Sequence, residues 1–251
     1  MSGQSGVSGN VADHLRPKVF IPAAEWAAAE ITLPPGSEVT GKFRLDLFPH
    51  VLEPLQAFDD PRVKSITLQW GSRCGKTVFM QACLAKTAAC DPHPMALADA
   101  DEKSVKRVIK RLWRTLERIP VLADQVPPRR LQASDRLELR DCLIHGAWSG
   151  SPTTAADYAA YVVCLNELDK MSKRVSEEAD FAFLMEERAK GFRGSKILRV
   201  STPSVKAESR IEAARLKGDN RRRLVPCPHC NHWQTLRTGN GQSPGGLRWE
   251  K

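Results

Sequence analysis

Long hydrophobic runs are missing from this sequence of 251 residues. No apolar stretch approaches the roughly 18 residues that a helix needs to cross a bilayer. The N-terminal segment MSGQSGVSGNVADHLRPK is small and polar, without the apolar stretch of a signal peptide. We therefore expect a chain that has no membrane segment and stays inside the cell.

Aromatic residues are scarce as well, at 6% of the chain, and they are not interleaved with basic residues as in a single-strand binding groove. Basic residues exceed acidic ones, 38 against 29, and the net charge of +9 favours a polyanionic partner. Five cations recur at spacings of three and four along one predicted helix: Lys103, Arg107, Lys110, Arg114 and Arg118. This basic stripe is either a solvated helix face or a contact with the backbone of duplex DNA or with another partner.

Structural disulfides are not expected, because the seven cysteines are odd in number and five of them lie among apolar neighbours. Those five are predicted to be reduced core residues: Cys74, Cys83, Cys90, Cys142 and Cys164. Cys227 and Cys230 differ, since CPHC has the spacing of a zinc knuckle. Zinc takes four ligands, and no cysteine follows Cys230, so a reduced or half-formed site is favoured over zinc.

Four segments follow one another along the chain. Residues 1–17 are predicted to be disordered, and residues 18–62 form an N-terminal arm whose short apolar stretches are broken by prolines. Residues 63–225 make up the predicted core, and residues 226–251 begin a linker that carries the cysteine knuckle.

Strands alternate with helices in the predicted core. The pattern predicts strands over 64–70, 95–98, 161–165 and 196–200, and helices over 76–90, 104–118 and 179–190. A hairpin is predicted to turn at His145-Gly146. This order predicts an α/β domain with a mainly parallel central sheet flanked by helices.

The segment QWGSRCGKT, residues 69–77, has features of a phosphate-binding loop between a strand and a helix. In such a loop Lys76 reaches the terminal phosphates, the Thr77 hydroxyl holds Mg²⁺, and backbone N–H groups surround the anion. The usual first glycine is missing, because Trp70 stands in its position. The predicted ATP-binding residues are Gly71, Ser72, Arg73, Cys74, Gly75, Lys76 and Thr77.

Two further strand ends carry polar residues in the order that a nucleotide hydrolase needs. Strand 161–165 runs into NELD, where Glu167 has the position of the residue that activates water. Asn166 stands where an aspartate usually supports Mg²⁺, so either the metal site is weakened or Asp169 compensates. Ser201 and Thr202 end the next strand, and they are predicted to sense the γ-phosphate and couple it to movement.

With these motifs the sequence resembles the large subunit of tailed-phage DNA-packaging terminases, in the lambda-like branch. The resemblance covers most of the chain. It is carried by EWAAAEITLPPGSEVTGKFRLDLFPHVLEPLQAFDDPRV, by SPTTAADYAAYVVCLNELDKM and by STPSVKAESRIEAARLKGDNRRRLVPCPHC. The third stretch is the most specific, because the order and spacing of its residues are unusual.

The resemblance implies a P-loop ATPase that uses ATP and Mg²⁺ to drive double-stranded DNA into a procapsid. It also implies a ring of subunits on the portal protein, a terminase small subunit as partner and the host cell cytoplasm as location. A metal-dependent nuclease domain would follow the motor, and none is expected within this chain. A loop arginine often acts on the γ-phosphate in related motors, and Arg73 is either that residue or a solvent-facing side chain.

Two other functions stay open at this point. NELD mimics the signature of a DExD-type helicase, although such an enzyme needs a second motor domain. The off-pattern loop and the uncharged Asn166 also allow a nucleotide-binding or DNA-binding scaffold without turnover.

Overall fold

The computed structural model describes residues 20–35, 39–172 and 180–236. The predicted disorder of residues 1–17 and the start of the predicted helix 179–190 therefore fall outside the described residues. Among the residues described, no helix combines the length and the apolar character needed to cross a membrane.

The predicted N-terminal arm is folded against the rest of the chain. It contains helix α1 (Ala23–Glu30), the antiparallel pair β1 (Thr32–Leu33) and β2 (Gly41–Lys42), and helix α2 (Leu52–Asp59). Large apolar side chains of this segment belong to the main core cluster and are fully buried, among them Ile31, Phe43, Val51 and Leu55. Within the described residues, segments 18–62 and 63–225 thus share one hydrophobic core.

A six-stranded sheet forms the centre of the fold. Its strands are β3 (Ser65–Gln69), β4 (Met95–Asp99), β5 (Arg136–Glu138), β6 (Leu143–Trp148), β7 (Val162–Asn166) and β8 (Lys196–Ser201). The spatial order is β3-β8-β7-β4-β6-β5, and all neighbours run parallel except β5 and β6. The predicted α/β fold with a mainly parallel sheet is confirmed.

Apolar side chains on both faces of the sheet explain why its central strands are buried along their whole length. Val162 and Cys164 of β7 point into one core cluster, whereas Val163 and Leu165 point into the other. Because successive strand residues face opposite sides, a wholly apolar strand is stable only where both faces are covered.

Four helices follow α2 in the described chain: α3 (Lys76–Cys90), α4 (Glu102–Leu116), α5 (Phe181–Glu187) and α6 (Arg210–Leu216). Asp101 directly precedes α4 and caps it, because its carboxylate accepts a hydrogen bond from Ser104 N at 2.9 Å. The apolar side of α4 packs on β4 and β6, and all five side chains of the basic stripe are exposed. Helix α6 packs on β3, and a short antiparallel pair, β9 (Val225–Pro226) and β10 (Trp233–Gln234), follows it.

The predicted hairpin is present, but its turn lies elsewhere. Leu137 pairs with Ile144, and Leu139 N donates to Cys142 O at 2.9 Å, so the chain reverses within residues 139–142. The predicted turn at His145-Gly146 is wrong, because both residues lie inside β6. Glycine is needed at 146 for a close approach, since a Cβ there would lie 2.2 Å from the Asp135 carbonyl oxygen.

Candidate functional site

Residues 70–75 connect β3 to α3 in a tight loop. The backbone takes positive φ values at Arg73 (64°) and at Gly75 (77°), and Gly75 directly precedes the helix. No side chain caps the N-terminus of α3, so the N–H groups of its first turn are not satisfied by a capping residue. A helix start of this kind attracts anions through its N–H groups and its dipole. The loop therefore has the geometry of a phosphate site.

The N-terminal arm forms the floor of this loop. A Cβ at Gly75 would lie 3.2 Å from the Phe48 ring, so space as well as the positive φ requires glycine. His50 Nε2 is hydrogen-bonded to Cys74 O at 2.8 Å, and because a carbonyl only accepts, Nε2 must carry the proton. Phe48 and His50 were missed by sequence reasoning, although both lie in the lead-in stretch that resembles the terminase family.

Trp70, which replaces the first glycine of the usual pattern, is held in place from two sides. Its backbone N donates to Ser201 O at 3.2 Å, and its ring contacts His50 edge to face at 4.8 Å between centroids. The front of the loop is thus tied to β8 by the backbone and to the arm by an aromatic contact. Arg73, by contrast, has an exposed side chain.

Lys76 is buried at the start of α3, with its ammonium group turned back toward the loop. Nζ donates to Gly71 O at 2.7 Å, to Trp70 O at 3.2 Å and to Thr202 Oγ1 at 2.8 Å. Burial lowers the pKa of Lys76, while the nearby charge of Glu167 acts in the opposite direction. The fold thus brings together residues from three motifs that lie far apart in the sequence.

Glu167 occupies a strained position directly after β7. Its φ of 56° and ψ of 50° are left-handed, which costs a residue other than glycine on the order of 1–3 kcal/mol and is frequent at functional sites. The buried oxygen Oε2 receives no hydrogen bond from the described residues, and Lys170 Nζ lies 3.2 Å away without hydrogen-bond geometry. A carboxylate that is ion-paired with Lys170 but keeps an unfilled acceptor position suits the orientation of a water molecule.

Asn166, the last residue of β7, is hydrogen-bonded to an acid that sequence reasoning missed. Its Nδ2 donates to Asp99 Oδ2 at 2.6 Å, and both side chains are buried. Burial raises the pKa of Asp99, although the hydrogen bonds from Asn166 and from Ala100 N oppose this effect. The signal was present in the sequence, because Asp99 directly follows the predicted strand 95–98.

Asp169, which the sequence offered as compensation for Asn166, is hydrogen-bonded to backbone groups. Its two carboxylate oxygens accept hydrogen bonds from Ser204 N and from Ile211 N, both at 2.7 Å. Burial raises the pKa of Asp169, but hydrogen bonds from Ser209, Ile211 and Ser204 outweigh burial and bring the pKa below its usual value. Asp169 N also donates to Ser201 Oγ at 3.2 Å, so this residue links β8 to the start of α6.

The oxygen donors at the end of β7 and at the start of α3 fit a magnesium ion. Mg²⁺ prefers hard oxygen ligands and retains several waters rather than requiring a full protein cage. The Thr77 hydroxyl, the Asn166 amide oxygen and the Glu167 carboxylate are donors of this kind, and Glu167 Oε2 is a buried oxygen with an unfilled acceptor position. These residues could hold the ion or its water shell, and Asp169 stays a predicted further ligand.

Cys227 and Cys230 lie in the turn between β9 and β10. Cys227 N donates to His232 O at 2.8 Å, and Asn231 N donates to Cys227 O at 2.9 Å, which closes the turn. The backbone N–H groups of Cys230 and His229 lower the pKa of the Cys227 thiol. In the described part of the chain no three His, Cys, Asp or Glu side chains come together around a metal position, so zinc is not supported there.

A groove of about 840 Å³ runs along β3 beside α6. It reaches Gln69 and Trp70 at the front of the loop, but neither Lys76 nor Glu167 lines it. The groove therefore borders the candidate phosphate site and does not contain it.

A mainly parallel sheet, a phosphate loop at the end of β3 and an acid at the end of β7 define the class of P-loop nucleotide-binding proteins. The sequence profile of the family described as "Phage terminase large subunit gpA, ATPase domain" matches residues 37–251. Because this match spans most of the chain, the chain belongs to that family. The resemblance seen in the motifs is thereby confirmed.

Known relatives and structures agree with this assignment. The terminase large subunit of Enterobacteria phage P21 is 26% identical over 240 residues, which are 93% of this chain and 37% of that protein. The terminase large subunit of Escherichia phage lambda is 33% identical over 96 residues, 38% of this chain and 14% of that protein. The crystal structure of the HK97 bacteriophage large terminase shares the fold, with a TM-score of 0.64 at 14% identity over 78% of this chain and 41% of that one. This chain thus spans well under two thirds of the length of these relatives.

Proposed function

We propose that this chain is the ATPase motor domain of a terminase large subunit, which hydrolyses ATP with Mg²⁺ to move double-stranded DNA into a procapsid. The observation that carries the proposal is the convergence of three strand ends. Lys76 Nζ lies 2.8 Å from Thr202 Oγ1 and interacts electrostatically with Glu167. A nucleotide hydrolase needs a phosphate-binding lysine, a residue that orients water and a phosphate-sensing group at one place.

In the proposed site the backbone N–H groups of residues 71–77 surround the phosphates, with Gly71, Ser72 and Cys74 in the turn. Lys76 leaves its carbonyl partners and neutralises the terminal phosphate oxygens. Glu167 orients the attacking water and accepts its proton. When bound, Mg²⁺ supplies positive charge at the phosphates, with Thr77 and Asn166 as the residues that hold it and Asp169 as the predicted further ligand. Arg73 is the loop residue proposed to stabilise the charge of the transition state.

Coupling is proposed to begin at Thr202. When Lys76 turns toward a phosphate, the Thr202 hydroxyl loses this donor and becomes available to the γ-phosphate. Ser201, next to it, is hydrogen-bonded to Asp169 N, and Asp169 holds the start of α6. A change at the phosphate can therefore reach α6 through three residues in direct contact.

The proposed partners are double-stranded DNA, the portal protein, a terminase small subunit and further copies of this chain in a ring, in the host cell cytoplasm. The net charge of +9 and the exposed basic stripe on α4 support contact with the DNA backbone. A neighbouring subunit is proposed to complete the site, so an isolated chain should hydrolyse ATP slowly.

Two substitutions test the proposal. Lys76→Ala removes the phosphate-binding charge, so binding of a fluorescent ATP analogue and phosphate release should both be lost. Glu167→Gln keeps the shape of the side chain but removes the base, so binding should persist while phosphate release falls roughly 10²–10⁴-fold. Both are measured with and without duplex DNA.

A matched control is available in the ion pair of the exposed Lys190 with the half-buried Glu187, at 2.6 Å. Lys190→Ala and Glu187→Gln make the same chemical changes outside the loop and its partners, and they should leave binding and release unchanged. Undiminished hydrolysis in Glu167→Gln would falsify the catalytic assignment. Nucleotide binding without phosphate release in the unsubstituted chain, with DNA present, would favour the scaffold, for which the uncharged Asn166 is the supporting observation.

A further inference from the structure

We infer that Asp99 supplies, from the neighbouring strand, the carboxylate that β7 lacks at Asn166, and that the two residues act as one positioning pair beside the proposed Mg²⁺ site. The inference rests on the proposed ATPase function and adds a residue to it. Asp99 is a positioning residue in this scheme, because it acts through Asn166.

Strand register places the two residues side by side. β4 and β7 are parallel neighbours, and Ala98 lies opposite Leu165, so Asp99 and Asn166 are the next residues along each strand. Asp99 is 3% exposed and Asn166 is 7% exposed, and their side chains meet at 2.6 Å. Glu167 follows Asn166 directly, so the pair adjoins the residue proposed to orient water.

The chemistry of this contact fixes the orientation of the amide. An ionised carboxylate only accepts hydrogen bonds, so Asn166 must turn its NH₂ group toward Asp99. The amide oxygen Oδ1 is then directed to the other side of the group, where it can accept a hydrogen bond from a metal-bound water. Asp99 thereby determines that the amide oxygen of Asn166, and not its NH₂ group, faces the nucleotide site.

The backbone around Asp99 is held firmly enough for this role. Its Oδ1 accepts a hydrogen bond from Ala100 N at 2.7 Å, and its carbonyl oxygen accepts one from Ser149 N at 3.2 Å. Ser149 Oγ in turn donates to Ala100 O at 2.7 Å, so the ends of β4 and β6 are tied together. Hydrogen-bonded partners of this kind orient the residues of a metal site.

The pair also accounts for asparagine at position 166. An aspartate there would bring a second carboxylate into the 2.6 Å contact with Asp99, and two carboxylates that close do not both ionise. Compared with the usual pattern, in which an aspartate stands at the position of Asn166, the structure is consistent with an exchange: the acid lies on β4 and the amide on β7. The two positions together carry one negative charge.

Three variants test the exchange: Asp99→Asn, Asn166→Asp and the double variant with both changes. Affinity for Mn²⁺ in the presence of a non-hydrolysable ATP analogue is followed by electron paramagnetic resonance, and the Mg²⁺ dependence of phosphate release is measured in parallel. Asp99→Asn should weaken metal affinity roughly 10–100-fold, as loss of an orienting partner does elsewhere. Asn166→Asp should also weaken it, while the double variant restores most of the affinity.

Asp101→Asn is the matched control, because it removes a carboxylate two residues away while asparagine keeps the cap of α4. Its metal affinity should equal that of the unsubstituted chain. Thermal unfolding of every variant separates folding from metal binding, and if Asp99→Asn does not fold, the double variant still carries the test.

Two results would overturn the inference. One is unchanged Mn²⁺ affinity in a folded Asp99→Asn variant, whether or not it is less stable, since Asp99 would then be structural only. The other is improved Mn²⁺ affinity in Asn166→Asp with Asp99 intact. If the unsubstituted chain binds neither the ATP analogue nor Mn²⁺ with it, the proposed ATPase function itself fails, and the inference with it.

Discussion

Substitution of Gly146 by alanine should destabilise the fold strongly although it adds one methyl group. Gly146 lies inside β6, and its φ is not in the left-handed region, so alanine meets no backbone restriction. The new Cβ would instead lie 2.2 Å from the Asp135 carbonyl oxygen and 2.6 Å from Val105 Cγ1. The effect is therefore one of space alone.

The magnitude follows from which atoms can move. Ordinary contact of a Cβ begins at 3.4 Å, so β6 and the segment at Asp135 must separate by about 1 Å. The nearest obstacle is backbone, which cannot rotate away as a side chain does, and the second is a buried valine of α4. We expect a loss of roughly 2–3 kcal/mol, which lowers the melting temperature of a chain of this size by roughly 4–12 °C.

Urea unfolding followed by circular dichroism measures this loss, together with the thermal melt. Gly150→Ala is the matched control, because its added Cβ would meet only the Trp148 ring at 3.7 Å, an ordinary contact. The control should stay within about 0.5 kcal/mol of the unsubstituted chain. Equal stability of the two variants would refute both the crowding and the position of Gly146 inside a strand.

Three further outcomes follow from the site and its surroundings. Thr202→Val removes one acceptor of Lys76 and should lower phosphate release while binding of an ATP analogue is kept. The folded-state pKa of Asp169 lies below its ordinary value of 3.8, so its stabilisation is full above that pH and is lost as the pH falls further. The stability gap between the unsubstituted chain and Asp169→Asn should therefore narrow in acid. Cys227, with a lowered pKa, should react with a disulfide reagent at neutral pH faster than Cys142, whose pKa burial raises to about 11.

Each of these outcomes has a contrary result. If Thr202→Val no longer binds the ATP analogue, the Thr202 hydroxyl is needed to form the phosphate loop, which contradicts a role in coupling alone. If the difference in unfolding free energy between the unsubstituted chain and Asp169→Asn is the same at neutral pH and in acid, the ionised carboxylate of Asp169 does not stabilise the fold. A fast thiol phase that survives Cys227→Ser would assign the reactive thiol to another cysteine.

The order of strands and helices was predictable because each element has its own pattern of apolar and polar residues over a short segment. The runs 95–98 and 161–165 are apolar without interruption, and the structure buries both β4 and β7 on two faces. The loop after β3 was predictable for the same reason, since Gly75, Lys76 and Thr77 are adjacent in sequence. Helix and strand ends differ from the prediction by a few residues.

The missed features all depend on contacts between distant segments. The role of Asp99 is visible only once β4 is known to lie beside β7, because Asp99 and Asn166 are 67 positions apart in the sequence. Gly146 was predicted to be a turn residue, but it lies inside β6, where the backbone of Asp135 packs against it. The floor of the loop comes from Phe48 and His50, which lie more than twenty residues before Gly75. A sequence pattern can point to a single residue at a strand end, such as Asp99, but it does not show which distant residue lies beside it.

The floor of the phosphate loop limits how far the chain can be shortened from its N-terminus. Because the His50 side chain bonds Cys74 O and the Phe48 ring fills the space under Gly75, the segment before β3 is thermodynamically linked to the phosphate site. A ligand that binds only the ordered loop must also stabilise α2 and the turn before it. Removal of residues 1–62 would thus remove the floor of the loop, and nucleotide affinity should fall.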